Sequence, residues 1–194
     1  MPRRSTTSSP RGSRSSSSSD AVSMLMADHK KVQKLFRDFD KAHEEQDDQT
    51  CREIAERVCT ELEVHTTLEE ELFYPAAREA LGEDEELVDE AEIEHQSAKD
   101  LISELRAMDA TDQKFAPTFT VLAEYVRHHI KEEEGEMFPR VKKAKLDLDG
   151  LGQEMAARKS QLTAEADAAE LESGEAPATS RTEPDTARSR ARVG

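Results

Sequence analysis

The sequence predicts an all-α protein: an up-down-up-down four-helix bundle, followed by a short C-terminal extra helix, with a disordered tail at each end. Three observations support this fold class. Four segments of the 194-residue chain place apolar residues three or four positions apart, which is the spacing of one helix face. Their connections are short, so neighbouring helices should run antiparallel. Strand-like alternation of apolar and polar residues is absent throughout the sequence.

The composition suits such a bundle. Hydrophobic residues make up 35% of the chain and aromatic residues 4%, which is enough for helices that expose a wide polar face. The net charge is −16, and both chain ends are basic, so the bundle itself is more acidic still. We therefore expect no nucleic-acid partner.

The chain is expected to divide into four parts. Residues 1–19 are a Ser/Arg-rich segment and residues 174–194 have a similar composition; neither can bury a core, so both should be disordered. Residues 20–145 should form the bundle, and residues 146–173 an accessory helix that packs outside it.

Each bundle helix is predicted from its apolar stripe and from the residues at its ends. Ser19 or Asp20 can cap the first helix, Gly82 follows the second, and Pro117 suits the first turn of the fourth. The predicted limits are about 20–46, 51–80, 83–108 and 117–145.

The most informative feature is an internal repeat. The segment HTTLEEELFYP begins at His65, and HIKEEEGEMFP begins at His129. Both carry a histidine, a glutamate four residues later, and an aromatic residue followed by proline. In a helix, the glutamates Glu69 and Glu133 lie one turn, about 6 Å, beyond their histidines and on the same face.

Each predicted helix carries one histidine within its apolar stripe. Neighbouring helices are antiparallel, so positions are counted from the start of the first and third helices and from the end of the second and fourth. Counted in this way, the four histidines lie at the same height along the bundle, and all four should face inward in one layer. The four residues are His29, His65, His95 and His129.

A layer of four buried imidazoles and two buried carboxylates predicts bound metal. A single histidine on such a stripe is more often a hydrogen-bonded core residue, but six polar groups together carry a heavy desolvation cost unless cations compensate them. Imidazole and carboxylate ligands without thiolates suit iron; manganese and zinc are alternatives. Glutamates on facing helices can each bridge two metals.

Four motifs together resemble the hemerythrin-like, HHE cation-binding family: ADHKKVQKLF, HTTLEEELFYP, EIEHQSAKDLI and HHIKEEEGEMFP. The resemblance covers about residues 20–145. It implies a four-helix bundle with a non-heme di-iron centre able to bind O2. Carried over position by position, it implies the ligands His29, His65, Glu69, His95, His129 and Glu133.

The sequence departs from the oxygen-carrying members in two places. Four residues after the histidine of the third helix they have a second histidine, where this chain has Lys99. Five residues after the histidine of the fourth helix they have an aspartate, whereas this chain has Glu133 at four residues and Glu134 at five. The missing nitrogen ligand leaves an extra open coordination position. The pattern is similar to that of bacterial members with His, His-x-x-x-Glu, His, His-x-x-x-Glu, some of which decompose peroxide.

Several other polar residues lie near this layer. Tyr125, one turn before His129, either donates a hydrogen bond to an oxygen ligand at the metal or is a plain core tyrosine. His128 should point away from the layer, and His43 should lie at a helix end. Glu70 and Glu134 are expected to face solvent.

Three functions are compatible with these residues. The first is a di-iron protein that binds O2, peroxide or NO, as a sensor, a store or an enzyme that decomposes hydrogen peroxide. The second is a non-catalytic iron-binding module that senses iron or oxygen, and the third is a metal-free helical interaction bundle. No membrane span or signal sequence is recognised, and two free cysteines suggest a reducing compartment, so a cytoplasmic location is expected.

Overall fold

The computed structural model describes residues 20–82 and 86–174, and all regular elements in these two ranges are helical. The predicted tails lie outside the described residues. The elements are α1 (Ala21–Glu44), α2 (Asp48–Leu68), the π-helical segment π1 (Glu69–Phe73), α3 (Tyr74–Leu81), α4 (Glu86–Ala107), α5 (Phe115–Glu132), the π-helical segment π2 (Glu133–Met137), α6 (Phe138–Lys143) and α7 (Leu148–Gly174).

These elements form the predicted bundle. α2, π1 and α3 follow one another without a break, as do α5, π2 and α6, so α1, the α2–α3 helix, α4 and the α5–α6 helix are its four helices. The all-α prediction is thus confirmed. α7 packs along α1 and α2 on the outside. No helix in the described ranges combines the length and the apolar character needed to cross a membrane.

The helix starts follow local capping. Asp20 accepts a hydrogen bond from the backbone N–H of Ser23 at 3.0 Å, and Asp47 accepts one from Thr50 at 3.0 Å. The Asp47 cap begins the second helix at residue 48, three residues before the predicted start. The fourth helix begins at residue 115, which leaves Pro117 in the first turn, where its missing N–H has no intrahelical partner to lose.

A π-helical segment interrupts the second and fourth bundle helices at equivalent points of the repeat. In π1 the backbone N–H of Tyr74 donates to the carbonyl of Glu69, five residues back, and π2 repeats this bond. Pro75 and Pro139 follow directly, and a proline ring would clash with the carbonyl four residues before it in a regular α-helix. The wider π turn accommodates the proline, which explains why both motifs end in an aromatic residue and proline.

The hydrophobic core consists of two clusters separated by a polar layer. One cluster extends from Val32 and Leu62 toward the α1–α2 and α4–α5 connections and contains Phe36 and Phe119. The other lies at the opposite end of the bundle, where α7 adds Met155 to it. The polar layer between them is where the histidines lie.

The two glycines Gly135 and Gly82 should respond oppositely to alanine. Gly135 is exposed in π2, and an added Cβ would meet nothing within 4 Å, so Gly135→Ala should raise the free energy of unfolding by about 1 kcal/mol. Gly82 has a φ of +57°, so Gly82→Ala should lower it by about 1 kcal/mol or more. Urea unfolding monitored by circular dichroism measures both. A destabilised Gly135→Ala variant would show that π2 needs the glycine backbone.

Candidate metal centre

The structure brings the six predicted ligands into one buried layer. α1, α2, α4 and α5 contribute one histidine each, and each glutamate is the first residue of a π segment. None of the six is more than 6% exposed. The residues are His29, His65, His95, His129, Glu69 and Glu133.

The four imidazoles form two pairs whose Nε2 atoms face each other. The Nε2 atoms of His29 and His65 are 3.2 Å apart, and those of His95 and His129 are also 3.2 Å apart. One pair therefore joins α1 to α2, and the other joins α4 to α5.

The two glutamates connect the pairs. One carboxylate oxygen of each glutamate lies near an Nε2 atom of both pairs, so each carboxylate is positioned to bridge two ions. The Oε2–Nε2 distances are 3.2 Å for Glu69–His65, 3.3 Å for Glu69–His95, 3.4 Å for Glu133–His29 and 3.7 Å for Glu133–His129.

A carboxylate lies beside the outer nitrogen of every imidazole. An Nδ1–H that donates to a carboxylate leaves the lone pair of a neutral ring on Nε2, aimed at the centre. The distances from Nδ1 to oxygen are 2.9 Å for His29–Glu134, 3.0 Å for His95–Glu70, 2.9 Å for His129–Glu94 and 3.7 Å for His65–Asp28.

The outer acids occupy two repeated sequence positions. Asp28 and Glu94 directly precede the histidines of α1 and α4, whereas Glu70 and Glu134 directly follow the glutamates of the layer. The expectation that Glu70 and Glu134 face solvent is wrong, because each contacts a histidine across the helix interface. The repeat itself marked both positions, but the cross-helix partner is visible only in the fold.

The buried phenol at the centre is Tyr74. Its hydroxyl donates to Glu133 Oε1 at 3.3 Å and lies 3.1 Å from His95 Nε2. Burial, together with the charges of Glu69 and Glu133, raises the pKa of this phenol well above its usual value. The tyrosine of the HTTLEEELFYP motif was therefore a signal that sequence analysis did not use. Tyr125 is 50% exposed and lines a cavity beside the layer.

The electrostatics of the layer favour positive charge. Burial alone lowers the pKa of His65, yet the carboxylates of Glu69, Asp28 and Glu133 raise it to about 10. The pKa of His95 is raised to about 9 against the same effect of burial. Burial opposes ionisation of Glu69, but His65 and His95 hold its pKa well below the usual range. Without a bound cation, His65 and His95 thus hold protons and Glu69 holds negative charge despite burial, and a metal ion would displace those protons.

The donor set fits metal ions. Three buried carboxylate oxygens, both of Glu69 and Oε2 of Glu133, accept no hydrogen bond from the described residues. Their contacts with Nε2 atoms lack hydrogen-bond geometry. Buried carboxylate oxygens without donors are costly unless a cation lies beside them. Within each histidine pair the two Nε2 atoms are at hydrogen-bond distance, and a cation could take the place of the proton between them.

Two lysines neutralise part of the outer shell of acids. Lys99 Nζ lies 2.6 Å from both oxygens of Glu70, so the residue that replaces the fifth histidine of oxygen carriers is bound to a carboxylate outside the layer. Lys159 of α7 donates to Asp28, the partner of His65. With the four imidazoles neutral, as they would be when they ligate metal, the layer and its outer acids hold six carboxylates against these two ammonium groups, which leaves four negative charges.

The remaining histidines lie outside the layer. The side chain of His128 is 60% exposed and contacts Glu132. His43 is exposed near the end of α1, where its ring stacks on Phe39.

A small cavity adjoins the layer on the side of the larger core cluster. It holds about 20 Å³ of space, room for about one water-sized molecule. Its walls include Val32, Leu62 and Val126, and all four histidines of the layer line it.

Comparisons with known proteins identify the family and a similar fold. The family model described as hemerythrin HHE cation binding domain matches residues 20–141. A crystal structure of a hemerythrin HHE cation binding domain-containing protein from Mycobacterium kansasii is similar, with a TM-score of 0.66 and 25% identity, covering 76% of this chain and 90% of that one.

Two curated relatives match about three fifths of the chain. A hemerythrin-like protein of Schizosaccharomyces pombe is 30% identical over 126 residues, or 64% of this chain and 59% of the relative. A DNA nickase of Nostoc is 28% identical over 121 residues, or 61% of this chain and 32% of the relative. The chain therefore spans less than two thirds of the length of either relative.

The outer acids should set metal affinity without touching the metal. Glu134→Ala removes the acceptor of His29 Nδ1–H, so we expect about 10- to 100-fold weaker metal binding. Glu136→Ala is the matched control, since Glu136 is an exposed acid of the same π segment whose contact is Arg140. Competition with a chromogenic chelator measures both affinities. Equal affinities for the two variants would contradict the role assigned to Glu134.

Proposed function

Since the chain belongs to the hemerythrin HHE cation-binding domain family, we propose that its buried layer holds two iron ions and decomposes hydrogen peroxide. O2 and NO are further ligands of the same centre. The arrangement that carries the proposal is the two histidine pairs joined by two carboxylates. When bound, the pair of iron ions supplies and takes back the two electrons needed to convert two peroxide molecules into O2 and two water molecules.

The charge of the layer supports two ions. Each histidine pair directs two lone pairs at one point, and each glutamate reaches both pairs. The four negative charges left after the two lysines are counted would be balanced by two divalent cations. A neutral, fully compensated layer is what burial between two apolar clusters requires.

The donor chemistry supports iron. Nitrogen and oxygen donors without thiolate suit iron or manganese, and zinc competes for the same nitrogens. Both cysteines, Cys51 and Cys59, lie in the apolar cluster and are free. Burial raises the pKa of the Cys59 thiol to about 12, which keeps it from acting as a thiolate ligand.

The cavity and Tyr74 support a small oxygen-containing ligand. About 20 Å³ with largely apolar walls admits a molecule with few heavy atoms and excludes larger substrates. The Tyr74 hydroxyl holds a proton beside Glu133 and His95. A phenol in this position can donate a hydrogen bond, or a proton, to a ligand bound in the layer.

Lys99 supports peroxide chemistry over reversible oxygen carriage. Its ammonium group binds Glu70 and contributes no nitrogen to the layer. Six protein ligands would leave two bound ions with positions that ligands from solution could take. Such open positions would favour reaction of a bound ligand over its reversible release.

A second candidate is a non-catalytic iron or oxygen sensor. It is favoured by the link from Lys159 of α7 to Asp28 and from Asp28 to His65, because this link connects the layer to a helix beyond the matched residues 20–141. Metal loss could then be transmitted to α7.

The nickase activity of the Nostoc relative is not part of the proposal, since the match covers only 32% of that protein. Free cysteines support our proposal of a cytoplasmic location.

Metal content tests the proposed centre. Protein produced with ample iron should contain two iron ions per chain, and His65→Ala or Glu133→Ala should lose metal because each removes a donor from the layer. His43→Ala, which changes an exposed histidine, should retain both ions. Elemental analysis and the optical spectrum measure occupancy. A folded, metal-free protein would support the third possibility, a metal-free interaction bundle.

Oxygen measurements separate peroxide decomposition from carriage and sensing. The di-ferric protein should evolve O2 from hydrogen peroxide, and the di-ferrous protein should oxidise irreversibly in air. Tyr74→Phe should slow O2 evolution by about 10²-fold or more if its proton is used, while the metal content stays unchanged. An oxygen electrode measures both reactions. A stable oxygenated form that releases O2 under vacuum over repeated cycles would instead establish a carrier, and absence of both reactions would favour the sensor.

A further inference from the structure

We propose that Glu94, His128 and Glu132 form a third, exposed cation site through which metal ions reach the buried layer. This inference rests on the proposed metal centre and adds a loading step to it. The three residues lie where α4 meets α5. Each directly precedes a residue of the layer in the sequence. We refer to them as the loading site.

The donors of the loading site converge. One ligand atom from each residue lies within 4.8 Å of the other two. His128 Nε2 is 3.3 Å from Glu132 Oε1 and 3.8 Å from Glu94 Oε1. One imidazole and two carboxylates are ligands that first-row divalent ions accept, and water can complete the coordination.

Glu94 connects this site to the buried layer. Its Oε1 faces His128, and its Oε2 accepts the Nδ1–H of His129 at 2.9 Å. The Glu94 side chain is 23% exposed, whereas the layer histidine it contacts is buried. One carboxylate therefore belongs to the exterior site and to the shell of the centre.

A cleft connects two residues of the loading site, Glu94 and Glu132, with the layer. Carboxylates of Glu90, Glu94 and Glu132 line it, together with apolar side chains and the layer residues His129 and Glu133. Glu133, at the inner end, is 2% exposed, and its Oε2 accepts no hydrogen bond from the described residues. This buried, unpartnered oxygen belongs to a residue that lines the acidic cleft, so a cation moving inward through the cleft would be taken up there.

Two of the other three outer acids offer less to an arriving cation. Lys159 occupies Asp28 and Lys99 occupies Glu70, so the ammonium groups repel cations at those two positions. The residues that line the cleft include no lysine or arginine. The negative potential of such a cleft concentrates cations and raises their association rate.

The exposure of the loading site suits a transient role. The side chains of His128 and Glu132 are 60% and 45% exposed, so bound ions keep part of their hydration and are held weakly. The buried layer offers more donors and is less accessible to water, and it therefore takes the ion over. The apolar cavity on the other side of the histidines remains available to small uncharged ligands.

The test measures how fast metal-free protein takes up metal. Chelator-treated protein is mixed with Co²⁺ in a stopped-flow instrument, and the visible absorption of the bound ion reports loading. The double variant His128→Ala/Glu132→Gln leaves all six proposed ligands and Glu94 in place. We expect it to load about tenfold more slowly, or slower still, at low Co²⁺ and to reach the same final two ions per chain.

Glu124→Gln is the matched control, because Glu124 is an exposed acid of α5, one turn before His128, and is not among the cleft residues. It removes one negative charge from the same helix and should load at the wild-type rate. Equal slowing by the control would assign the effect to overall charge and overturn the loading site. A double variant that loads at the wild-type rate would also overturn it.

The final metal content distinguishes this proposal from the proposed centre. Fewer than two ions bound to the double variant at saturation would mean that His128 or Glu132 supports the centre itself, which contradicts a role in loading only. Wild-type protein that binds no Co²⁺ would refute the buried centre and, with it, the loading site.

Discussion

The constraint on which this structure depends is the cost of burying charge in the middle of an apolar core. Four imidazoles and two carboxylates lie in a layer between two hydrophobic clusters, and none is more than 6% exposed. Such a layer would oppose folding if its groups were not compensated. The outer acids, the two lysines and the proposed cations together provide that compensation. Metal binding and bundle stability should therefore be coupled.

The groups that compensate the buried charges follow the internal repeat. The positions at which the two halves differ change the chemistry of the centre. Each half supplies two histidines, one layer glutamate and two outer acids. The halves differ where Tyr74 matches Phe138: the tyrosine brings a hydroxyl to His95 and Glu133, whereas Phe138 has no hydroxyl and stacks on His29. A nearly symmetric centre thus receives a phenol hydroxyl from one side.

The π segments link backbone geometry to the centre. Each segment begins at a layer glutamate and ends just before the aromatic residue and proline. The wider turn therefore lies at the point where the helix directs a carboxylate inward and the next residue toward a histidine of another helix. Insertions of this kind are frequent at functional sites because they change the direction of side chains without ending the helix.

The sequence by itself determined the helical class, the four stripes and the one-layer arrangement of His29, His65, His95 and His129, because helical periodicity and helix length depend on local spacing. The same local rules indicated the facing of Glu69 and Glu133. Only the tertiary structure decided which side chains meet across helices: Glu70 and Glu134 with histidines, Tyr74 with Glu133, and Lys159 of α7 with Asp28. These contacts depend on the rotation and offset of packed helices, which periodicity within one helix does not specify.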